Sequence, residues 1–560
     1  MRPRAAAQAL ERIADLLELR GENPFKSNAC RSAARALLAL KTEDLAAALR
    51  AGELARVKGI GPSTLAIIKE LADTGDSALL DRLSEETPEG LIDMLRIPGL
   101  GTSRIHAIHT GLGVDTLQEL EAAAHDGRLA SLPRLGEKTA AQIARGIAQL
   151  RETSEFMLYP HARAEAERLL ARVRAVPGVA MAEIAGSIRR RCPVIRDIDL
   201  VASCTRAPAE VAAEFARAGD VRDAIGVGGG AVTLRMADGA RVDLYCVPVG
   251  GFAAALWRAT GSDSHCAAVR ARGEAMHASD EAGIYAAAGL SFIEPERREG
   301  REEVEHAAHG RLEPLITRDD IKGVLHCHSN YSDGANSIAE MVGAARDRGW
   351  SYLGISDHSQ SAAYAGGLTR DAVLRQHEEI DRLQEEFRNF RILKGIEADI
   401  LADGRIDYDE EILDRFDYVI ASVHSRFGLG ETAMTDRVLR AIEDPHVTIL
   451  GHPTGRLLLT REPYAIDMPA VLKRAAELDV AVELNADPHR LDLDWTMCVA
   501  AKWLECQIEI GPDAHSVAGL ENMEVGIGIA RKGWLAPADV MNCKPWQDIM
   551  DQARSRRAAK

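Results

Sequence analysis

The sequence contains nine cysteines, an odd number, and no two of them form a Cys-x-x-Cys pair. A disulfide framework is therefore not expected, and the chain reads as one kept in a reducing cytoplasm. No apolar run is long enough to span a bilayer, so no membrane association is expected. Positive charge is also short: 68 Lys and Arg stand against 85 Asp and Glu, a formal net charge of −17. Most of that surplus falls in residues 316–560. Such a chain does not hold nucleic acid by bulk attraction. DNA contact has to come from local basic patches or backbone donors, while clustered carboxylates attract cations. The Arg-bearing start, Met1–Arg20, could mimic a transit peptide, but Glu11, Asp15 and Glu18 argue against one, and its apolar spacing predicts an ordinary helix. With 560 residues and 46% hydrophobic content, several packed domains are expected.

What the sequence does have is a run of metal-ligand types from His326 to His515. Val324-Leu325 reads as a buried strand, on which His326 and His328 share a side because they are two apart. Asp333 follows in a polar turn. Further on, apolar β-rich runs each end in a ligand type: 352–356 before Asp357 and His358, 391–396 before Glu397, 418–423 before His424. The runs at 447–451, 480–484 and 508–511 lead to His452, to Asn485, and to Asp513 and His515. Helical patterns lie between them at 338–348, 370–387 and 469–478. Strand, ligand, helix, repeated about seven times, predicts an α/β barrel with its chemistry at the C-terminal strand ends.

The N-terminal third is punctuated by glycine turns. Gly59-Ile60-Gly61 and Gly99-Leu100-Gly101 each precede a helical pattern, and a weaker third copy carries Arg134 ahead of Gly136. Such turns expose backbone N–H groups at a helix start, where they can hold a phosphate without net positive charge. A single copy would more simply end one helix and begin another. Repetition favours contact with the DNA backbone through Gly59, Gly61, Gly99 and Gly101.

Between these regions the pattern turns to strands. Gly186-Ser187-Ile188-Arg189-Arg190 precedes Asp197-Ile198-Asp199, whose carboxylates share one strand face. The runs at 231–236 and 241–247 flank a turn and read as a hairpin carrying Asp243. Three carboxylates on one face can hold two divalent ions for phosphoryl transfer. Gly186 and Ser187 offer close backbone approach to phosphates, and Arg190 offers a guanidinium fork. The alternative is a solvated, salt-bridged face, since Asp-x-Asp alone is common.

The first set of motifs resembles the PHP (polymerase and histidinol phosphatase) domain, a distorted seven-stranded barrel holding up to three metals. The resemblance implies nine ligands: His326, His328, Asp333, His358, Glu397, His424, His452, Asp513 and His515, with Glu397 bridging two ions. The second set resembles the family X DNA polymerases, whose nucleotidyltransferase palm is like that of DNA polymerase beta. By that resemblance Asp197, Asp199 and Asp243 are catalytic and hold metal, while Gly186, Ser187 and Arg190 bind nucleotide. The glycine turns look like helix-hairpin-helix motifs, and Thr260-Gly261-Ser262 resembles the thumb entry. The chain is thus identified as a multidomain member of the polymerase-plus-PHP class. Expected domains are a small helical region at 1–90, fingers at 91–155, a palm at 156–252, a thumb at 253–296, a charged linker at 297–320 and the PHP barrel at 321–560.

The implied function is repair of gapped or 3′-ended DNA in the cytoplasm, by a monomer. It would combine gap filling from deoxynucleoside triphosphates, with Mg²⁺ or Mn²⁺ in the palm, and 3′–5′ trimming with Mn²⁺, or Zn²⁺ or Fe²⁺, in the barrel. His489 and Arg490 could touch substrate phosphate; pairing of Arg490 with Asp492 or Asp494 is the alternative. Several positions depart from the family pattern. Arg196 stands where a glycine is usual, Arg258-Ala259 where aromatics line the sugar pocket, and Cys266 in place of an asparagine. Ile67 stands where a lyase lysine would be, with Lys69 on another face of the helix. Two rivals follow: a nuclease whose polymerase half is an inactive DNA-binding scaffold, and a small-molecule phosphatase acting on substrates such as histidinol phosphate.

Overall fold

The computed structural model describes residues 3–38, 45–52, 54–74, 77–95, 97, 99–133, 135–154, 156–217, 219, 221–228, 230–237, 239–273 and 278–558. Arg134, of the third glycine turn, and Asp238, of the expected hairpin turn, lie outside the described residues. The chain divides into two compact units, Met1–Glu155 and Phe156–Lys560.

The first unit is helical. Helix Pro3–Leu19 buries Ala6, Leu10, Ile13 and Leu17 along one stripe, the i, i+3, i+4 pattern of an amphipathic helix. One core takes in the glycine-turn regions, from Ala6 to Ile147. The three turns share one hydrogen-bond plan. Ile60 N donates to Val57 O, Leu100 N to Ile97 O and Leu135 N to Leu132 O. Gly61, Gly101 and Gly136 then accept from Leu65, Ile105 and Ala140, opening the next helix. Ile60, Leu100 and Leu135 are buried as anchors. Gly59 and Gly99 have φ of +105° and +79°, which favours glycine.

The second unit begins with a five-stranded sheet. Its strands are β1 (Val179–Ile184), β2 (Asp197–Cys204), β3 (Val221–Gly228), β4 (Ala231–Met236) and β5 (Arg241–Pro248), in spatial order β1-β2-β5-β4-β3. β4 and β5 are antiparallel, as the hairpin pattern predicts, and β2 and β5 are parallel with Asp199 opposite Asp243. Ile198, Leu200 and Ala202 face the core shared with helices Tyr159–Ala175 and Pro208–Ala216. The alternate residues, Asp197 and Asp199, face away from it.

The expected linker is a packed connector. Arg297 and Arg298 are buried and Glu303 is wholly so. Their charges are matched: Arg298 Nη1 lies 2.5 Å from Glu281, Arg297 Nη1 2.9 Å from Glu294, and Glu303 accepts from the buried His265 ring at 2.7 Å. By its charge this stretch was expected only as a linker. Pairing across the fold is what allows these charges to be buried.

The barrel has seven parallel strands in chain order: β6 (Gly323–Val324), β7 (Tyr352–Ile355), β8 (Arg391–Asp399), β9 (Tyr418–Ser422), β10 (Val447–Leu450), β11 (Ala481–Asn485) and β12 (Ile508–Gly511). At the C-terminal rim it is closed by a bridge between Cys327 and Ala514, with His328 N donating to Ala514 O at 3.0 Å. At the other end the Asn542 side chain joins the first and last strands, accepting from Ile510 N at 2.6 Å and donating to Gly323 O at 3.1 Å. Helices at Ile338–Asp347, Arg370–Glu386 and Met468–Glu477 match the expected patterns within a residue or two. Strands covered on both sides carry no polar alternation. Leu325, Tyr352, Tyr418, Ile420 and Ile449 fill the lumen against Met541, Ile549 and Met550 from the C-terminal segment. Gly354 and Gly395 make room for the Tyr418 ring, which a Cβ at either would meet within 2.2 Å. The lower lumen is therefore solid, and polar side chains collect above it at the rim.

Candidate active sites

All nine expected barrel ligands stand at that rim, supplied by six strand ends and the turn after His328. Among the described residues, three groups bring ligand atoms within 4.8 Å of one another: His326, His328 and Asp513; His358, Glu397 and His424; and His328, Asp333, His358 and His515. His452 lies outside these groups, but its Nε2 is 2.9 Å from Glu397 Oε1. Glu397 is central. Its Oε2 lies 2.9 Å from His358 Nδ1 and 3.5 Å from His326 Nε2, and its Oε1 lies 3.3 Å from His424 Nε2. Asp513 Oδ1 is 3.2 Å from His328 Nε2 and 3.6 Å from His326 Nε2. Asp333 Oδ1 is 3.3 Å from His515 Nε2.

The electrostatics are those of a cation site. Burial raises the cost of charge on Glu397 and Asp513, yet the surrounding imidazoles hold both carboxyls well below their usual range. Burial opposes protonation of His424 and His515, but Glu397, Asp399, Asp333 and Asp513 lift them to about 10 and about 9. Burial takes His328 down to about 3, helped by His515 and His358, leaving a neutral imidazole, the ligating form. Several buried ring nitrogens make no well-formed hydrogen bond, namely His326 Nε2, both nitrogens of His328, His358 Nδ1 and His452 Nδ1, although three of them lie 2.9–3.5 Å from carboxylate oxygens. Orphaned lone pairs beside carboxylates are a costly arrangement that divalent ions would satisfy. The donor set fits metal.

A ring of supporting residues orients these side chains, and most of it has no signature in the sequence. Glu483, fully buried, accepts from His326 Nδ1 at 2.5 Å and from His452 N at 2.5 Å. Asp399 accepts from His424 Nδ1 at 2.8 Å, and Asn485 donates to Asp513 at 3.0 Å. Asp357 accepts from Ser329 Oγ, Ser332 Oγ and Gln376 Nε2, and so ties down the turn carrying Asp333. Such carboxylate–histidine pairs fix the tautomer and ring direction of a ligand. An acidic residue inside an apolar strand, as in Val482-Glu483-Leu484, was the available signal for Glu483. Asp513 itself has φ of +47°, a conformation that aspartate tolerates. Arg490 pairs with neither of its expected partners: its Nε lies 3.5 Å from Asp513 Oδ2, while Arg456 takes Asp494 and Thr454 takes Asp492. His489 is exposed and bonded to Asp487.

In the sheet, Asp197, Asp199 and Asp243 share a face, with Asp243 held by Thr233 and by Arg241 at 3.4 Å. They are not among the three close ligand groups. Burial, Asp197 and Asp243 push Asp199 up to about 7, the mark of like charges gathered in one place. Gly186 (φ +59°) abuts Asp199, and a Cβ there would lie 1.8 Å from Asp199 Oδ2. The Ser187 hydroxyl is buried and without a partner. Arg190 is held by Glu299 at 2.9 Å and by Thr260 O at 2.8 Å. Ser262 caps the helix Asp263–Arg270. Cys266 is buried in the core beyond it, with Sγ toward Arg258 O. Arg196 and Arg258 are exposed, and Ala259 is partly buried. Ile67 packs against the helical core while Lys69 is exposed.

Comparison with known proteins agrees with these parts. Residues 1–77 match a helix-hairpin-helix domain, 91–149 a SAM-like helix-hairpin-helix tandem and 325–482 the PHP domain. The "DNA polymerase/3'-5' exonuclease PolX" of Bacillus subtilis is 35% identical over 560 residues, 96% of this chain and 97% of that protein. Proteins named "Probable phosphatase" match a little over a third of the chain. The one from Caldicellulosiruptor saccharolyticus is 32% identical over 36% of this chain and 82% of its own length. That from Syntrophotalea carbinolica is 27% identical over 39% and 90%. With helix-hairpin-helix regions, a two-stranded aspartate face and a C-terminal PHP barrel along a match of nearly full length, the chain belongs to the PolX family, the family X DNA polymerases joined to a PHP domain.

Proposed function

We propose that the protein is a DNA repair enzyme that fills gaps from deoxynucleoside triphosphates and trims 3′ ends through its PHP barrel. The reading is carried by one observation: nine imidazoles and carboxylates from segments nearly 190 residues apart in the sequence converge around Glu397, in a chain that matches PolX almost end to end.

In the barrel, His326, His328, Glu397 and Asp513 would hold one ion, Glu397, His424 and His452 a second, and Asp333, His358 and His515 a third. When bound, such ions supply an acidified water as nucleophile and a Lewis acid for the phosphate oxygens. Mn²⁺ is the favoured ion, with Zn²⁺ or Fe²⁺ as alternatives for a site of imidazole and carboxylate. Arg490, 3.5 Å from Asp513 Oδ2, would pair with a phosphate oxygen. In the palm, Asp197, Asp199 and Asp243 would hold Mg²⁺ or Mn²⁺, and Asp243 would draw the proton from the primer 3′-hydroxyl. Gly186, Ser187 and Arg190 would take the triphosphate: the glycine admits close backbone approach, and the buried Ser187 hydroxyl lacks a partner. Gly59, Gly99 and Gly101 would offer N–H groups at helix starts to DNA phosphates, and Gly61 would do so by giving up its bond to Thr64 Oγ1 at 3.0 Å. The substrates are gapped or 3′-ended DNA and deoxynucleoside triphosphates, and the protein would act as a cytoplasmic monomer. Among the described residues no helix is long and apolar enough to cross a membrane.

The rival in which the palm is only a scaffold draws on Cys266, whose burial withdraws it from any base, and on exposed Arg196. One experiment separates the readings. Labelled gapped DNA is incubated with Mn²⁺, with and without nucleotides, using wild type, Asp243→Ala and His328→Ala. Lengthening lost only in Asp243→Ala and shortening lost only in His328→Ala are expected. Shortening that survives His328→Ala would remove the nuclease assignment, and no lengthening by wild type would favour the scaffold.

A further inference from the structure

The loop after His358 is tightly held. Ser359 N donates to Glu397 O at 3.0 Å, Gly367 N to Ala362 O at 3.1 Å, and Leu368 N to His358 O at 2.8 Å. Ser361 N donates to Asp407 Oδ2 at 2.8 Å, and the Tyr408 hydroxyl donates to Leu368 O. Gly366 has φ of +72°, and a Cβ on Gly367 would lie 1.9 Å from Ser359 O, so two adjacent glycines are built into the turn. On this fixed backbone Tyr364 is 72% exposed. Its ring centroid is nevertheless 6.2 Å from the His358 ring and 6.3 Å from the His424 ring, edge-on to the latter at 73°. Aromatic rings contribute to a fold by burying their area. A ring this open contributes little, yet an ordered loop holds it at the lip of the ligand cluster. Arg490, 3.5 Å from Asp513 Oδ2, is close enough for its charge to act on Tyr364. Stacking faces combined with positive charge are how proteins hold single-stranded nucleic acid.

We propose that Tyr364 is the platform on which the base of the 3′-terminal nucleotide stacks while its phosphodiester lies over the His358–Glu397–His424 group. Tyr364 thereby sets a requirement for a nucleobase at the end being trimmed. This rests on the nuclease reading above. Any of the four bases fits, since each presents a π-face, so the platform selects a base without selecting a sequence.

The test uses the full-length protein with Mn²⁺ and two single-stranded oligonucleotides, one ending in thymidine and one in a tetrahydrofuran abasic nucleotide. Tyr364→Ala should raise KM for the thymidine end roughly ten- to hundredfold while changing kcat less, and should leave the abasic end unaltered. Tyr364→Phe and Tyr364→Trp should retain the wild-type preference. Equal loss on both ends, no loss on either, or a Tyr364→Phe variant as poor as Tyr364→Ala would overturn the proposal, the last by assigning the role to the hydroxyl. If wild type trims neither end, the nuclease reading fails. Stacking is then judged by anisotropy of labelled oligonucleotides bound in Ca²⁺, and equal affinity of wild type and Tyr364→Ala for the thymidine end would sink it.

Discussion

Buried Lys532 and half-buried Glu299 form an ion pair between the connector and the helix Asn522–Lys532 of the barrel, and the same Glu299 oxygen accepts from Arg190 Nε at 2.9 Å. Lys532 Nζ also donates to Arg190 O at 3.2 Å and lies 4.7 Å from the Trp495 ring centroid. At its N-terminus the helix is anchored by Asn522, whose amide donates to Pro512 O, one residue before Asp513. A side chain of the barrel thus helps fix the arginine assigned to the nucleotide.

Replacing Lys532 by methionine leaves half-buried Glu299 beside a single cation, Arg190. Because one partner and some solvent remain, the cost falls below the roughly 3–5 kcal/mol of a fully buried pair that loses one member. Thermal unfolding should show that loss, and the KM for nucleotide should rise more than kcat falls. Lys532→Arg should restore part of both. An unchanged KM in a folded Lys532→Met would show that Arg190 needs no such support.

Gly186→Ala forces a methyl group against Asp199 in a left-handed backbone. Nucleotidyl transfer should fall roughly a hundredfold, the cost of about an ångström of misplacement, while 3′ trimming stays near wild type. Parallel assays of both activities check this, and equal loss of the two would point to general unfolding.

Glu483 is expected to tune metal affinity without being a ligand. Glu483→Gln keeps the shape but weakens the bond to His326 Nδ1, and affinity for Mn²⁺ should drop about 10- to 100-fold. Calorimetric titration of metal-free protein measures it. Unaltered affinity would make Glu483 a packing residue only.

Glu509, opposite Glu483 on β12, is pushed up to about 8 by burial and by Glu483. A carboxyl whose folded pKa exceeds its unfolded one contributes stability that is full below about pH 4.5 and is lost as pH rises towards 8. Urea titrations of metal-free protein at pH 5, 6, 7 and 8 should therefore show Glu509→Gln gaining on wild type at each step, and no further gain above pH 8. A constant difference across this range would contradict the assignment.

Much of the barrel was legible because each strand is a short apolar run ending in a ligand type. Order along the chain therefore maps onto order around the rim. Asp197 and Asp199 were legible for a related reason, since a period of two places both aspartates of β2 on one face; Asp243 was legible on its hairpin strand, and parallel pairing of β2 with β5 sets it opposite Asp199. Glu483, Asp399 and Tyr364 were not. An acid within an apolar strand, or a tyrosine in a loop, has no local pattern that says what it will face. The connector shows the same limit from the other side, since a charged linker gives no sign that Arg297 and Arg298 are buried against Glu294 and Glu281.

By itself the sequence determined the elements and their order: helices with glycine turns, an aspartate-bearing sheet, then strands each delivering a possible ligand. These rest on hydrophobic periodicity and backbone preference, which act over a few residues. Only the tertiary structure decided which imidazoles gather at Glu397, which charges are buried in pairs, and that Lys532 reaches Arg190. Those outcomes depend on distances between residues far apart in the chain, where Coulomb attraction and desolvation are settled by packing and not by neighbours in sequence.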